Sequence, residues 1–198
     1  MPPTKPRKRT PSAKRLRMLD IGHGEAQRIA RYARRARSKN RFFYGMEKER
    51  QFTFVPSRQH NVKLMIGDAE AKLRKLPSRS LDVVNMDFFD LTEASSKIDG
   101  FTKQGMPKIR VSTKVLFPTL LKEVKRVLDK NGRLFLTVQA GAVGDIDALL
   151  GNHDFIETRF FDVPENQKNA TTEMRKHFEL AKTKPSARPV RFIAVKRG

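Results

Sequence analysis

Acidic residues and glycines stand at the ends of apolar runs in the first quarter of the chain. In the segment LRMLDIGHG, Asp20 ends an apolar run, and Gly22 and Gly24 follow it as a Gly-x-Gly turn. A second apolar run, Arg41–Met46, leads directly into Glu47. Glycine lets a turn adopt positive φ close to a ligand, and an acid ending the second strand can accept both hydroxyls of a ribose. The spacing therefore predicts a site for a nucleoside-type cofactor; a merely tight turn is the alternative.

A third acid has two interpretations of equal weight. Gly67-Asp68-Ala69 follows the apolar segment Asn61–Ile66. The Asp68 carboxylate could accept a hydrogen bond from the amino group of an adenine, or it could cap the helix that we predict over Ala69–Lys75. The local sequence does not decide between a binding role and a capping role.

Two acids and two aromatic residues follow the next apolar segment. Leu81–Met86 predicts a central strand of a parallel sheet, and it runs into Asp87-Phe88-Phe89-Asp90. Open α/β sheets bind ligands at such strand ends. Asp87 and Asp90 are therefore candidate catalytic residues that would position a planar base or take a proton from it; a capped loop anchored by phenylalanines is the alternative.

The remaining pattern supplies the elements that must position these acids. Apolar or small residues at helical spacing predict a helix over Glu25–Ser38, and we expect a short helix within Glu47–Gln59 and a long loop at Leu91–Thr113 over the site. The later elements are helices at Pro118–Leu128 and Asp145–Leu150, a partly helical Asn166–Ser186, and strands at Arg133–Val138, His153–Val163 and Pro189–Lys196. This order predicts a doubly wound α/β fold with a mostly parallel, seven-stranded sheet that finishes in an antiparallel strand pair.

The composition narrows the range of partners. Lys and Arg number 42 against 21 Asp and Glu, a formal net charge of +21, which points to a polyanion such as nucleic acid. No apolar run is long enough to span a bilayer, so we expect no membrane contact. The absence of cysteine fits an intracellular, cytoplasmic protein and excludes thiol chemistry and a Cys-ligated metal; we predict no metal site.

The basic residues are grouped in three places. We expect residues 1–14 to form a disordered arm ahead of one domain, residues 15–198, with a solubilising or localisation tail as the alternative. The second group is the arginine-rich helix after the glycine turn, and the third is the loop after Asp90. The predicted RNA-binding residues in these groups are Arg7, Lys8, Arg9, Arg28, Arg31, Arg34, Arg35, Lys103, Lys108 and Arg110.

The layout resembles that of class I S-adenosylmethionine-dependent methyltransferases. The segment LDIGHG looks like their first motif, Glu47 like the ribose-binding acid, and Gly67-Asp68-Ala69 like the adenine contact. The resemblance implies that S-adenosylmethionine is the cofactor, held by Asp20, Gly22, Gly24, Glu47, Asp68, Ala69 and Asp87.

Within that group the sequence is most similar to the tRNA guanine-N7 methyltransferase family. Gly45-Met46-Glu47 and Gly67-Asp68-Ala69 match the family pattern, and Phe88 and Asp90 match part of its Asn-Phe-Pro-Asp-Pro-Trp motif, although both prolines and the tryptophan are absent. The resemblance implies a methyltransferase acting on tRNA or rRNA, with guanine N7 as the modified atom. The altered motif leaves open a non-catalytic, methyltransferase-like RNA-binding protein that belongs to a ribonucleoprotein such as the ribosome or assists its assembly.

Overall fold

The secondary structure comes from a computed structural model that describes residues 16–22, 29, 41–47, 61–87, 92–101, 107–115, 117–165 and 172–197. Nine strands lie in these ranges: β1 Leu16–Ile21, β2 Arg41–Glu47, β3 Val62–Ile66, β4 Leu81–Asp87, β5 Thr92–Phe101, β6 Pro107–Val115, β7 Leu128–Gln139, β8 Phe155–Asp162 and β9 Pro189–Lys196. Four α-helices lie there too: α1 Ala69–Arg74, α2 Phe117–Val127, α3 Val143–Asn152 and α4 Thr172–Ala181. The predicted arm and the helices predicted within Glu25–Ser38 and Glu47–Gln59 lie outside the described residues, apart from a helical, buried Ile29 and from Glu47, which ends β2.

Seven of these strands form one sheet, in the order β3-β2-β1-β4-β7-β9-β8. Strands β3, β2, β1, β4 and β7 are parallel, and β9 is antiparallel to both β7 and β8. The predicted fold class is therefore confirmed, including the antiparallel pair at the end of the chain. Strand order reverses between β1 and β4, and ligands of open α/β sheets bind at such a reversal, outside the carboxyl ends of the strands. We call that side the carboxyl end of the sheet and the opposite side its amino end.

The core lies between the central strands and the helices. Leu19 and Ile21 of β1, Val84 and Met86 of β4, and Leu134 of β7 are at most 1% exposed. Helix α2 adds a buried stripe at helical spacing, which is the reason that its pattern was predictable from the sequence. The buried residues of this stripe are Leu120, Leu121, Val124 and Val127.

The start of β7 departs from the predicted boundary at Arg133. Leu128 already pairs with Leu81, and the pairing resumes at Arg133 with Val83, so four residues of β7 bulge away between the two positions. Asn131 has a φ of 57° in this bulge. A Cβ on Gly132 would lie 2.9 Å from the carbonyl oxygen of Asp129, so glycine is required there.

The prediction of a loop over Leu91–Thr113 is wrong. β5 and β6 pair there as an antiparallel hairpin that forms its own two-stranded sheet. Every second residue of Ile109–Val115 is β-branched, a strand-forming pattern that the surrounding polar and charged residues concealed. Of the basic residues predicted here, Lys108 and Arg110 lie on β6, and Lys103 lies outside the described residues.

Candidate functional site

The buried polar side chains of the described residues gather at the carboxyl end of one face of the sheet. Asp20, Asn85, Asp87 and Thr137 are each at most 7% exposed. Asp20 pairs in register with Asn85, and Asp87 pairs with Thr137. Because residues two positions apart on a strand share a face, all four side chains lie on the same face of the sheet. They are spread over the three neighbouring strands β1, β4 and β7.

Arg191 of β9 completes this group, which we call the polar strip (Asp20, Asn85, Asp87, Thr137 and Arg191). Its Nε donates to Thr137 Oγ1 at 3.1 Å, and its Nη2 forms an ion pair with Asp87 Oδ1 at 3.2 Å. Thr137 Oγ1 in turn donates to Asp87 Oδ1 at 2.6 Å. The strip therefore connects Asp87, the acid that the sequence predicted at this strand end and that the structure has as the last residue of β4, to strand β9.

Asp20 and Gly22 form the start of the predicted ligand-binding turn. Asp20 is 1% exposed, and its Oδ1 accepts a hydrogen bond from Asn85 Nδ2 at 2.8 Å. Gly22 has a φ of 68°, lies at the surface, and donates its N–H to the carbonyl of Met46 at 2.9 Å. A Cβ on Gly22 would lie 3.8 Å from the carbonyl oxygen of Asp87. The turn thus lies at the surface beside the end of β4, where it fits the predicted cofactor.

Glu47 is the last residue of β2 and pairs with Ile66 of β3. Its backbone therefore stands at the carboxyl end of the sheet, next to the strand that carries the glycine turn. The strand end is where the sequence predicted it, and the ribose contact itself stays a prediction.

Asp68 is an N-cap in the structure. Its Oδ1 accepts a hydrogen bond from the backbone N–H of Ala71 at 2.8 Å, and Ala69 begins helix α1. The capping alternative is therefore realised, while contacts of Asp68 and Ala69 with an adenine stay predictions. Asp68 is exposed at the carboxyl end of β3, so its position is compatible with both roles.

Asp87 has structural partners that the sequence did not predict. Thr137 and Arg191 orient its Oδ1, as described above, and its role toward a substrate stays a prediction. Sequence reasoning missed Asn85, Thr137 and Arg191. The available signal was a polar residue directly between two apolar ones in each of β4, β7 and β9, because buried polar groups almost always have hydrogen-bond partners.

The other predicted site residues are not placed. Gly24, Asp90, the arm and the arginine-rich helix lie outside the described residues. In the ranges that are described, no group of three or more His, Asp or Glu residues could hold a metal ion. No helix of those ranges is long and apolar enough to cross a membrane.

Comparison with known proteins defines the class of fold. No family model and no curated protein matches the sequence. Among solved structures, the CurJ carbon methyltransferase shares 12% identity over 96% of this chain and 50% of its own, with a TM-score of 0.59. The phosphoethanolamine N-methyltransferase 2 of Haemonchus contortus, in complex with S-adenosylhomocysteine, shares 15% identity over 95% of this chain and 51% of its own, with a TM-score of 0.61.

A third neighbour, the [4+2]-cyclase SpnF, shares 14% identity over 94% of this chain and 76% of its own, with a TM-score of 0.59. The chain has the class I methyltransferase fold. It spans about half the length of the first two neighbours. The cyclase is named for a different reaction, so this fold alone does not define an activity. The likeness to the tRNA guanine-N7 family stays a sequence prediction.

Proposed function

We propose that this chain binds S-adenosylmethionine at the carboxyl ends of β1 to β4 and directs methyl transfer to a structured RNA, either tRNA or rRNA. The observation that carries the proposal is the exposed, positive-φ Gly22 turn beside the buried Asp20, at the point where strand order reverses. A class I methyltransferase fold with this turn supports a nucleoside-type cofactor more strongly than either feature does alone.

We assign a role to each of the predicted cofactor-binding residues. The backbone at Gly22 and Gly24, braced by Asp20, would hold the methionine and sugar portions of the cofactor. Glu47 would accept hydrogen bonds from the ribose hydroxyls, and Asp68, with Ala69, would contact the adenine. The bound cofactor supplies an electrophilic methyl group, so the protein has mainly to orient the acceptor atom in line with it.

Asp87 and Asp90 are proposed to act on the target base. Asp87 is held by Thr137 and Arg191, so it can orient a neighbouring base edge without changing its own position. A ring nitrogen such as guanine N7 carries a lone pair and needs no proton removed before transfer. We therefore propose that the acids position the base, with Asp90 available as proton acceptor if the acceptor atom is exocyclic.

Charge supports RNA as the substrate. An excess of 21 positive charges on 198 residues is suited to binding the many phosphates of a nucleic-acid backbone. A small metabolite does not present enough negative charge to contact so many cations. The arm, the arginine-rich helix and the basic residues of β6 would contact phosphates, which position an RNA without reading its sequence. Guanine N7 is the atom suggested by the sequence resemblance.

A second candidate is a non-catalytic RNA-binding protein that keeps this fold within a ribonucleoprotein. Two observations favour it: the segment after β4 lacks the prolines and tryptophan of the guanine-N7 motif, and Asp87 Oδ1 is already engaged by two protein side chains. This candidate predicts RNA binding without cofactor binding.

Calorimetric titration of nucleic-acid-free protein with S-adenosylmethionine and with its demethylated product separates the two candidates. If the chain is a methyltransferase, we expect it to bind S-adenosylmethionine with micromolar affinity, which corresponds to a binding free energy of about −8 kcal/mol. Glu47→Ala should weaken it at least tenfold without unfolding the protein. Asp162→Ala is the matched control, because Asp162 is an exposed acid at the end of β8 whose side chain pairs with Arg188; its affinity should equal that of the wild type.

No binding by a protein with an intact unfolding transition would reject the first candidate and leave the second. Equal affinity of Glu47→Ala and the wild type would reject the ribose assignment alone. Where binding is found, transfer of radiolabelled methyl groups to total tRNA and to rRNA, followed by nucleoside analysis, identifies the acceptor atom.

A further inference from the structure

A group of cations lies at the amino end of the sheet, opposite the candidate cofactor site. Lys196, near the end of β9, donates from Nζ to the carbonyl of Leu128 at 2.7 Å. Arg79 precedes β4, and its backbone N–H donates to the carbonyl of Arg126 at 3.0 Å. Lys125 lies in the last turn of α2, next to the same strand start. Three separate elements thus bring cations to the beginning of β7.

These cations are close enough to repel one another. Burial lowers the pKa of the Lys196 ammonium group, and the positive charges of Arg79 and Lys125 lower this pKa further, while Asp129 opposes the change. A bound anion would offset the repulsion among these cations. The fold therefore holds a cluster of positive charge that its own carboxylates leave incompletely balanced.

Lys130 and Arg197 extend this group, which we call the amino-end cluster (Arg79, Lys125, Lys130, Lys196 and Arg197). Both added side chains are exposed. The nearby carboxylates are Asp82, Asp129 and Asp154; Asp82 pairs with Arg17, and Asp154 pairs with Lys125 at 2.5 Å. With Arg17 included, six cations lie against three carboxylates, so the surface keeps a positive excess.

Arg79 adopts a backbone conformation that arginine seldom takes. Its φ is 55°, and the residue is exposed. Glycine or asparagine would adopt this left-handed conformation more readily. Because Arg79 is exposed, its charge is the property that distinguishes it from the better-suited residues.

The basic arm joins the domain at the same end of the sheet. β1 is parallel to β4, so its first residue, Leu16, lies at the amino end. Arg17 is fixed there, because its backbone N–H donates to Asp82 at 2.8 Å and its guanidinium lies 3.8 Å from Asp129. The preceding 15 residues carry six Lys and Arg residues and no acid. The chain therefore enters the domain next to the amino-end cluster.

We propose that the amino-end cluster is a phosphate-binding surface for RNA. The choice of RNA as the polyanion rests on the proposed function. A strand of seven residues such as β4 is about 23 Å long, so this surface is separate from the cofactor site at the carboxyl end. It would hold a part of the RNA distant from the modified nucleotide.

The test compares two variants with the same change in net charge. The cluster variant carries Arg79→Asn, Lys130→Gln and Arg197→Gln. The control variant carries Lys63→Gln, Arg175→Gln and Lys184→Gln, at positions that are also exposed but lie elsewhere on the described surface. Binding of a fluorescent RNA duplex of about two helical turns is measured by anisotropy from roughly 0.05 to 0.4 M salt.

We expect the cluster variant to lose about two units of the log–log salt slope, which is about a hundredfold in affinity at 0.1 M salt if the curves meet near 1 M. The control variant should lose much less, and neither variant should change the affinity for S-adenosylmethionine. Arg79→Asn alone should weaken RNA binding while the melting temperature stays equal or rises, a combination that a purely structural role would not produce.

An unchanged slope in the cluster variant, or an equal loss in the control, would overturn this inference and leave the proposed function intact. Loss of binding to phosphatidylserine vesicles with unchanged RNA binding would also overturn it and assign the surface to a membrane. If S-adenosylmethionine does not bind but the cluster effect is observed, the surface stands and only the proposed methyltransferase activity fails.

Discussion

The polar strip makes a quantitative prediction about Thr137. Thr137→Val keeps the shape of the side chain and removes the hydroxyl that donates to Asp87 at 2.6 Å and accepts from Arg191 at 3.1 Å. Thr137 is 0% exposed, so water cannot replace these contacts. The substitution therefore tests whether the strip is formed as described.

The expected loss follows from opposing contributions. A hydrogen bond to a charged group is worth about 1.5–3 kcal/mol, and the Arg191 Nε would also lose its acceptor. The added methyl group recovers about 0.8 kcal/mol through apolar burial. We expect a net loss of about 2 kcal/mol, which corresponds to roughly 4–8 °C in melting temperature for a domain of this size.

Urea unfolding followed by circular dichroism measures this loss directly, with Thr183→Val as the matched control. The Thr183 hydroxyl is exposed and donates to the carbonyl of Leu180 at 3.1 Å, so its removal should change stability by less than about 0.5 kcal/mol. Arg191→Met should be more destabilising, by about 3–5 kcal/mol, because it removes the cation that pairs with the buried Asp87 carboxylate at 3.2 Å. A Thr137→Val variant as stable as its control, or strict additivity with Arg191→Met, would contradict the shared network.

Two further predictions concern contacts far from the site. Arg126→Met should destabilise the fold by about 2 kcal/mol in the same unfolding assay, because the guanidinium donates to the carbonyl of Leu73 in the last turn of α1 and to that of Leu76 just after it; a loss below that of an ordinary surface substitution would contradict it. The hydrogen bond and charge of Lys125 lower the pKa of Asp154 below its usual 3.8, so this pair stabilises the fold above pH 3.8 and loses its effect as the pH falls through the lowered value. Carboxyl NMR titration should show the Asp154 midpoint returning toward 3.8 in Lys125→Gln, and an unchanged midpoint would reject the pair.

The bounds of a strand were predictable where residues adjacent to it in the sequence set them. Apolar runs that end at an acid or a glycine placed β1, β2 and β4, and the run Pro189–Lys196 matched β9 at both ends. The start of β7 was not predictable, because Leu128 joins the sheet through a pairing with Leu81 across a bulge. The hairpin of β5 and β6 was missed because its alternation is carried by residues within a polar, basic segment.

The contacts of the polar strip were not predictable for a different reason. Asn85 and Asp20 are separated by 65 positions, and Arg191 and Asp87 by 104. No periodicity or capping pattern connects positions at such distances; only the order of the strands in the sheet does. The sequence therefore indicated which strand ends carry acids, while the partners that orient those acids depended on the topology.

The antiparallel direction of β9 gives this strand a cation at each end of the sheet. Arg191, its third residue, lies at the carboxyl end and pairs with Asp87, whereas Lys196, its last residue, lies at the amino end beside Leu128. A parallel strand in the same place would bring its first residues to the amino end, and Arg191 could not then reach the end of β4. The two cations are five positions apart, a separation of about 17 Å along the strand that places their side chains on opposite faces. One strand therefore contributes a cation to the candidate site and another to the amino-end cluster, without direct contact between the two.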